Sequence, residues 1–152
     1  MDKADGLGTE LAGLIDLAAD GVGGIPLLAS DEFFAGKEAL LKPGRGVFLP
    51  DEYTDQGKWM DGWEPRRRRS PGHDWCIVKL GIPGTIHAIN VDTNHFLGNH
   101  PPYASLDGCY APGATPIQLR DEVQWHPVVR QIPLNAGSEN LATADVTCAF
   151  TH

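Results

Sequence analysis

The chain has 152 residues, with 12 Lys and Arg against 20 Asp and Glu and a formal charge of −8. That is enough for one domain with its own core, and the sign weighs against a binder that neutralises nucleic-acid phosphates. Hydrophobic residues make up 41%, as in a globular protein; Gly and Pro together fill 30 positions, rich in turns yet below the roughly 25–30% of low-complexity chain.

The opening residues Met1, Asp2, Lys3 and Ala4 show no basic-then-apolar pattern, so no signal peptide is expected and the cytoplasm is the default compartment. No run approaches the ~18 apolar residues of a membrane span. Leu11, Leu14, Ile15, Leu17 and Ala18 recur at helical spacing, with Thr9 as an N-cap and Gly21 as a stop, which predicts one short amphipathic helix. A second helical turn is expected between Asp31 and Leu41, capped by Ser30 or Asp31 and ended by Pro43-Gly44. From Trp75 the pattern becomes alternating. Trp75 to Leu80 and Thr85 to Asp92 read as strands, and Gly81-Ile82-Pro83-Gly84 between them predicts a hairpin or neighbouring pair. Ser105 to Tyr110, Pro116 to Leu119, Val128 to Ile132 and Asp145 to Phe150 are further short apolar fragments. Strands at this spacing suggest a β-sandwich without an internal domain boundary.

Two segments carry candidate chemistry. In Gly57 to Arg69, Trp59 and Trp63 alternate with Asp61 and Glu64 and lead into Arg66, Arg67, Arg68 and Arg69. Guanidinium groups offer a fixed fork of donors suited to a carboxylate or a urea-like oxygen array. Asp61 and Glu64 would steady such forks or accept N–H bonds from a ligand. The same run also reads as a solvated basic loop. The second segment, Asp92 to Pro102, follows a predicted strand, where loops commonly display functional groups. Asp92 is a candidate general base or an orienter of one, and His95 a candidate proton shuttle. Asn99 can donate to and accept from an amide-like ligand. Asp92 and Asn99 are equally suited to capping a turn.

Cys76, Cys109 and Cys148 are odd in number and form no Cys-x-x-Cys pair, which favours buried thiols over a disulfide framework or zinc knuckle. The six histidines show no metal-binding spacing. No cofactor is implied, although a divalent metal held by residues distant in sequence stays open. Gly-x-Ser-x-Gly and phosphate-loop patterns are absent.

Taken together, several stretches resemble the allantoicase family, the allantoate amidinohydrolases of purine degradation. They begin with Asp16-Leu17-Ala18, Gly23-Gly24, Ala29 to Ala35 and Leu40-Leu41-Lys42-Pro43. Gly57 to Glu64 with the arginine run, Gly72 to Cys76, Leu80 to Gly84 and Asp92 to Pro102 continue the match. It is dense from Asp16 to Cys109 and looser beyond Trp125, where Ser138 to Leu141 and Phe150-Thr151-His152 still fit.

The resemblance implies an all-β jelly-roll sandwich of the galactose-binding-like kind, with one or two short helices. It further implies hydrolysis of allantoate to ureidoglycolate and urea. Family members carry two such repeats in tandem. Residues 1–152 amount to one, ending at Thr151-His152, where relatives enter a final strand, so this is expected to be the first repeat of a longer enzyme, weak or inactive alone. The implied partners are a small-molecule substrate, allantoate, and other subunits of a homo-oligomer, with no nucleic acid and no membrane. For that substrate, Arg67 and Arg68 would take the carboxylate. Asp61, Glu64 and Asn99 would meet the ureido groups, and Asp92 or His95 would move the proton. A non-catalytic β-sandwich module, ligand-binding or structural, is the alternative.

Overall fold

The computed structural model describes residues 11–152. Ten strands carry the fold: β1 (Ile25–Ala29), β2 (Tyr53–Thr54), β3 (Gly57–Lys58), β4 (Cys76–Lys79), β5 (Gly84–Thr85), β6 (Ala88–Asp92), β7 (Tyr103–Gly108), β8 (His126–Pro133), β9 (Glu139–Thr143) and β10 (Ala149–Phe150). Among the described residues, the short helix α1 (Pro116–Asp121) and two single 3-10 turns, Asp20–Val22 and Lys37–Ala39, accompany them. The architecture is an all-β sandwich. No helix among the described residues is long and apolar enough to cross a membrane.

Every strand pairing is antiparallel: β1 with β4, β5 with β10, β6 with β9, β7 with β8, and the small β2–β3 hairpin. The chain end knits the pairs together. Leu80 donates its N–H to Thr151 O, and Thr151 donates in turn to Cys109 O, so residues 150–152 run between the ends of β4 and β7. Phe150, Thr151 and His152 are all buried there.

Two apolar clusters fill the interior. Leu80, Val128, Val129 and Phe150 form one, joined by Leu17, Ile89, Leu106 and Ile132. Ile77, Cys109 and Leu119 form the other, flanked by Leu27, Trp75 and Trp125. Burial raises the thiol pKa of Cys76, to about 11, and that of Cys109, so neither is poised as a nucleophile. All three cysteines are free.

Several sequence expectations are corrected here. Among the described residues, the helix expected through Ala18 does not continue past Leu11. Only Leu11 of that stretch is helical, and Leu14 and Ile15 are exposed, while Thr9 lies outside the described residues. Asp16 instead accepts from the Ala18 N–H in a local turn, leaving Leu17 and Ala18 to pack on the core. The second helical turn is present, shortened to Lys37–Ala39. Strands at Cys76–Lys79 and Ala88–Asp92 agree with the alternation, but they do not pair with each other: β4 takes β1, and β6 takes β9. Pro116 to Leu119, read as a strand, is the start of α1. There Thr115 and Gln118 close a reciprocal capping box, and Trp125 Nε1 donates to Leu119 O.

Candidate functional site

The site is built where the end of β6 meets the loop after β3. Beyond Asp92 the chain turns sharply. Asp92 Oδ1 accepts from Asn94 N–H at 3.0 Å, Phe96 N–H bonds to Thr93 O, and His95 takes a left-handed backbone, φ 67°. Buried Thr93 fastens this turn, its hydroxyl donating to Asn135 O and accepting from Ser138 N–H at 3.0 Å, while its own N–H donates to Ser138 O at 2.9 Å. Asn140 adds a second bolt, donating to Val91 O at 2.9 Å. The turn is therefore held by buried polar bonds, which preorganise whatever it displays.

Opposite it, residues 61–64 approach closely enough that a Cβ on Gly62 would sit 3.0 Å from the Phe96 ring. Glu64 is fixed through its backbone to Ala35, and Trp63 Nε1 donates to Asp31 O at 2.7 Å. Asn99 Nδ2 then donates to Glu64 Oε1 at 2.6 Å, joining the two predicted segments across 35 residues.

A third segment, Lys42 to Phe48, laces over both. Arg45 grips Asp92 with two parallel bonds, Nε and Nη2 to the two carboxylate oxygens, each 2.9 Å. Asn94 Nδ2 donates to Gly46 O at 2.9 Å, Val47 N–H to Asp61 Oδ2 at 2.9 Å, and Lys42 Nζ to Asp61 Oδ1 at 3.2 Å. Phe48 stacks on His95 with ring centroids 5.5 Å apart. Hydrogen bonds from Arg45 hold Asp92 below the usual carboxylate range. The Val47 amide, then Lys42, does the same for Asp61. Both are thus fixed anions at neutral pH, and Asp92 is better suited to orienting a neighbour than to removing a proton itself.

The arginine run behaves differently. Arg66 bonds Asp31 through its backbone and its guanidinium, and Arg68 Nη2 reaches Asp74 Oδ1 at 3.1 Å. Arg67 and Arg69 are exposed and make no ion pair among the described residues. Thus Asp61, Glu64, Asp92, His95 and Asn99 come together, whereas Arg68 is tied to Asp74, a contact outside that group, and Arg67 makes no bond to it.

Two residues escaped the sequence reading. Arg45 stands alone between Pro43-Gly44 and Gly46, with no cluster to draw attention. His100 Nδ1, next in chain to Asn99, is the buried side-chain nitrogen that lacks a partner among the described residues. Unsatisfied buried polar atoms are rare and mark places where a ligand or water completes the bonding. No three metal-ligating side chains converge among the described residues. An open concavity of about 390 Å³ lies elsewhere, between the 111–114 loop and α1, and contains none of these groups.

The Asp31–Arg66 contact offers a check on the outer wall. The Arg66 N–H, then its guanidinium and the Phe33 N–H, lower the Asp31 pKa to about 2. The folded value lies below the unfolded one. Its contribution is therefore complete above about pH 4 and lost as pH falls toward about 2. Asp31→Asn is expected to be less stable than the parent at pH 6, with the gap closing across that acid window in urea melts.

An all-β sandwich thus carries fixed carboxylates, a clamped guanidinium and an amide on the loops around the end of β6. A model of the allantoicase repeat matches residues 15–152, and the chain belongs to the allantoicase family. A probable allantoicase of Ralstonia nicotianae is 45% identical over 137 residues, covering 90% of this chain and 40% of that protein. One of Acinetobacter baylyi is 41% identical over 146 residues, covering 96% and 42%. The crystal structure of Saccharomyces cerevisiae allantoicase superposes with a TM-score of 0.82 at 27% identity, covering 99% of this chain and 48% of that one. The chain spans about two fifths of the length of the curated relatives it matches.

Proposed function

We propose that the polypeptide carrying this repeat hydrolyses allantoate to ureidoglycolate and urea, and that the rim formed by residues 61–64 and 92–99 is part of its substrate site. The observation that carries the reading is the Glu64–Asn99 contact, 2.6 Å long, on the same loop that begins at the Arg45–Asp92 fork, in a chain of this family. Allantoate bears one carboxylate and two ureido groups on a single carbon. Glu64 accepts ureido N–H groups. Asn99 donates to a ureido oxygen and accepts from a nitrogen, and Asp61 anchors the loop that closes over them. Water adds its oxygen to the diureido carbon as one C–N bond breaks, and a proton passes to the departing nitrogen to release urea. His95 is the group proposed to move that proton, with Asp92 steadying its cationic form. Arg67 and Arg68 supply positive potential that draws the anion to a protein of net charge −8. The three free thiols fit the cytoplasm as the compartment, and association into a homo-oligomer belongs to the same proposal.

The test is urea release from allantoate by the complete polypeptide, with residues 1–152 assayed beside it. The expected result is equimolar urea and ureidoglycolate from the complete polypeptide and a small fraction of that rate from 1–152. Absence of urea from the complete polypeptide would overturn the activity. Equal rates would overturn the dependence on residues beyond this repeat.

A further inference from the structure

We infer that Arg45, clamped by Asp92, is the residue that binds the substrate's carboxylate and so selects an anionic ureido compound over a neutral one. This rests on the activity proposed above and goes beyond it by naming a residue for which the sequence offers no motif.

Three observations converge on Arg45. First, of its guanidinium nitrogens, Nε and Nη2 are spent on Asp92, so one edge of the planar fork is fixed while Nη1 has no partner among the described residues. A guanidinium held along one edge presents its remaining N–H groups in a set direction, the arrangement that suits carboxylate recognition. Its side chain is 45% exposed against 24% for Asp92, so the clamp is the sheltered side and the free edge meets solvent. Second, the loop around Arg45 cannot drift. Asn94 holds Gly46 O, Asp61 holds Val47 N–H, and a Cβ on Gly46 would come within 2.9 Å of Asp61 O. Arg45 is thereby tied to the 92–99 turn, which leads to Asn99, and to the 61–64 segment, which carries Glu64. Third, Arg66 is committed to Asp31, Arg68 to Asp74 and Lys42 to Asp61, while Arg67 and Arg69 make no bond to the groups of this rim among the described residues. Arg45 is the guanidinium that the fold fastens at this rim.

The local charges agree. Asp61, Asp92 and, along the paired strand, Glu139 surround the position, and Lys42 and Arg45 are the cations facing them. An incoming carboxylate would be repelled by the acidic groups alone. With Arg45 it meets a donor already oriented, at little further entropy cost.

The complete polypeptide is to be compared as wild type, Arg45→Ala, Arg45→Lys and the distant-cation control Arg120→Ala, whose guanidinium pairs with Asp121 on α1. Each is titrated calorimetrically and assayed with allantoate and with its neutral carboxamide. Arg45→Ala is expected to raise Kd and KM for allantoate about 30-fold and to change those for the carboxamide less than about threefold. Arg45→Lys should recover only part of the loss, because an ammonium cannot form the fork. Folding is verified by circular dichroism. Unchanged affinity for allantoate, or equal losses on both compounds, would overturn the inference. A wild type that binds allantoate in an Arg45-dependent manner yet releases no urea would overturn the proposed activity alone.

Discussion

Asp92→Ala is expected to lower kcat/KM for allantoate by about 100-fold or more in the complete polypeptide, with folding retained. The magnitude follows from two losses at once. The Arg45 guanidinium loses both bonds that orient it, and the charge beside His95 disappears. Misplacement of a binding group by about 1 Å is enough to cost on the order of 10²-fold. Asp92→Asn is the informative companion, since it keeps the shape but cannot supply two acceptor oxygens. It should fall between wild type and alanine. A double variant with Arg45→Ala should lose much less than the product of the two single effects, because both substitutions dismantle the same fork. Independent, multiplicative losses would mean that Asp92 acts without Arg45.

The largest expected effect on stability lies on α1. Leu119 is fully buried against Ile77 and Cys109, while Ile117, two residues earlier on the same helix, is 60% exposed. Leu119→Ala removes a packed side chain and leaves a cavity that the capping box and the Trp125 bond keep from collapsing. It is expected to cost about 3 kcal/mol, roughly 10 °C in melting temperature for a chain of this size. Ile117→Ala should stay within about 0.5 kcal/mol. Guanidinium melts of the two variants separate these outcomes, and similar losses would contradict the packing described for the second cluster.

How much of this was written legibly in the chain depends on how far each signal had to reach. Cys76–Lys79 and Ala88–Asp92 were readable because alternation is local. Their partners were not, since β6 pairs with β9 some fifty residues away and the Gly81–Gly84 turn suggested a hairpin instead. α1 carried a local signal that apolar content obscured: Thr115, Pro116 and Gln118 spell a helix start. At the N-terminal side the apolar spacing was genuine, but past Leu11 the described residues leave the helix and Asp16 closes a local turn on the Ala18 N–H. In the candidate site, Asp61, Glu64, Asp92, His95 and Asn99 were each visible as polar groups on Gly- and Pro-shaped loops. Their convergence depends on the 42–48 loop, whose key residue is a solitary arginine. The arginine run drew attention by composition, yet Arg66 and Arg68 are bound to Asp31 and Asp74.

A crystal structure of the complete polypeptide with allantoate bound tests the central claim most directly. The account predicts the carboxylate against the free edge of Arg45 and a ureido group spanning Glu64 and Asn99. Ligand density in the concavity beside α1, or anywhere that leaves these three side chains facing bulk water, would contradict it.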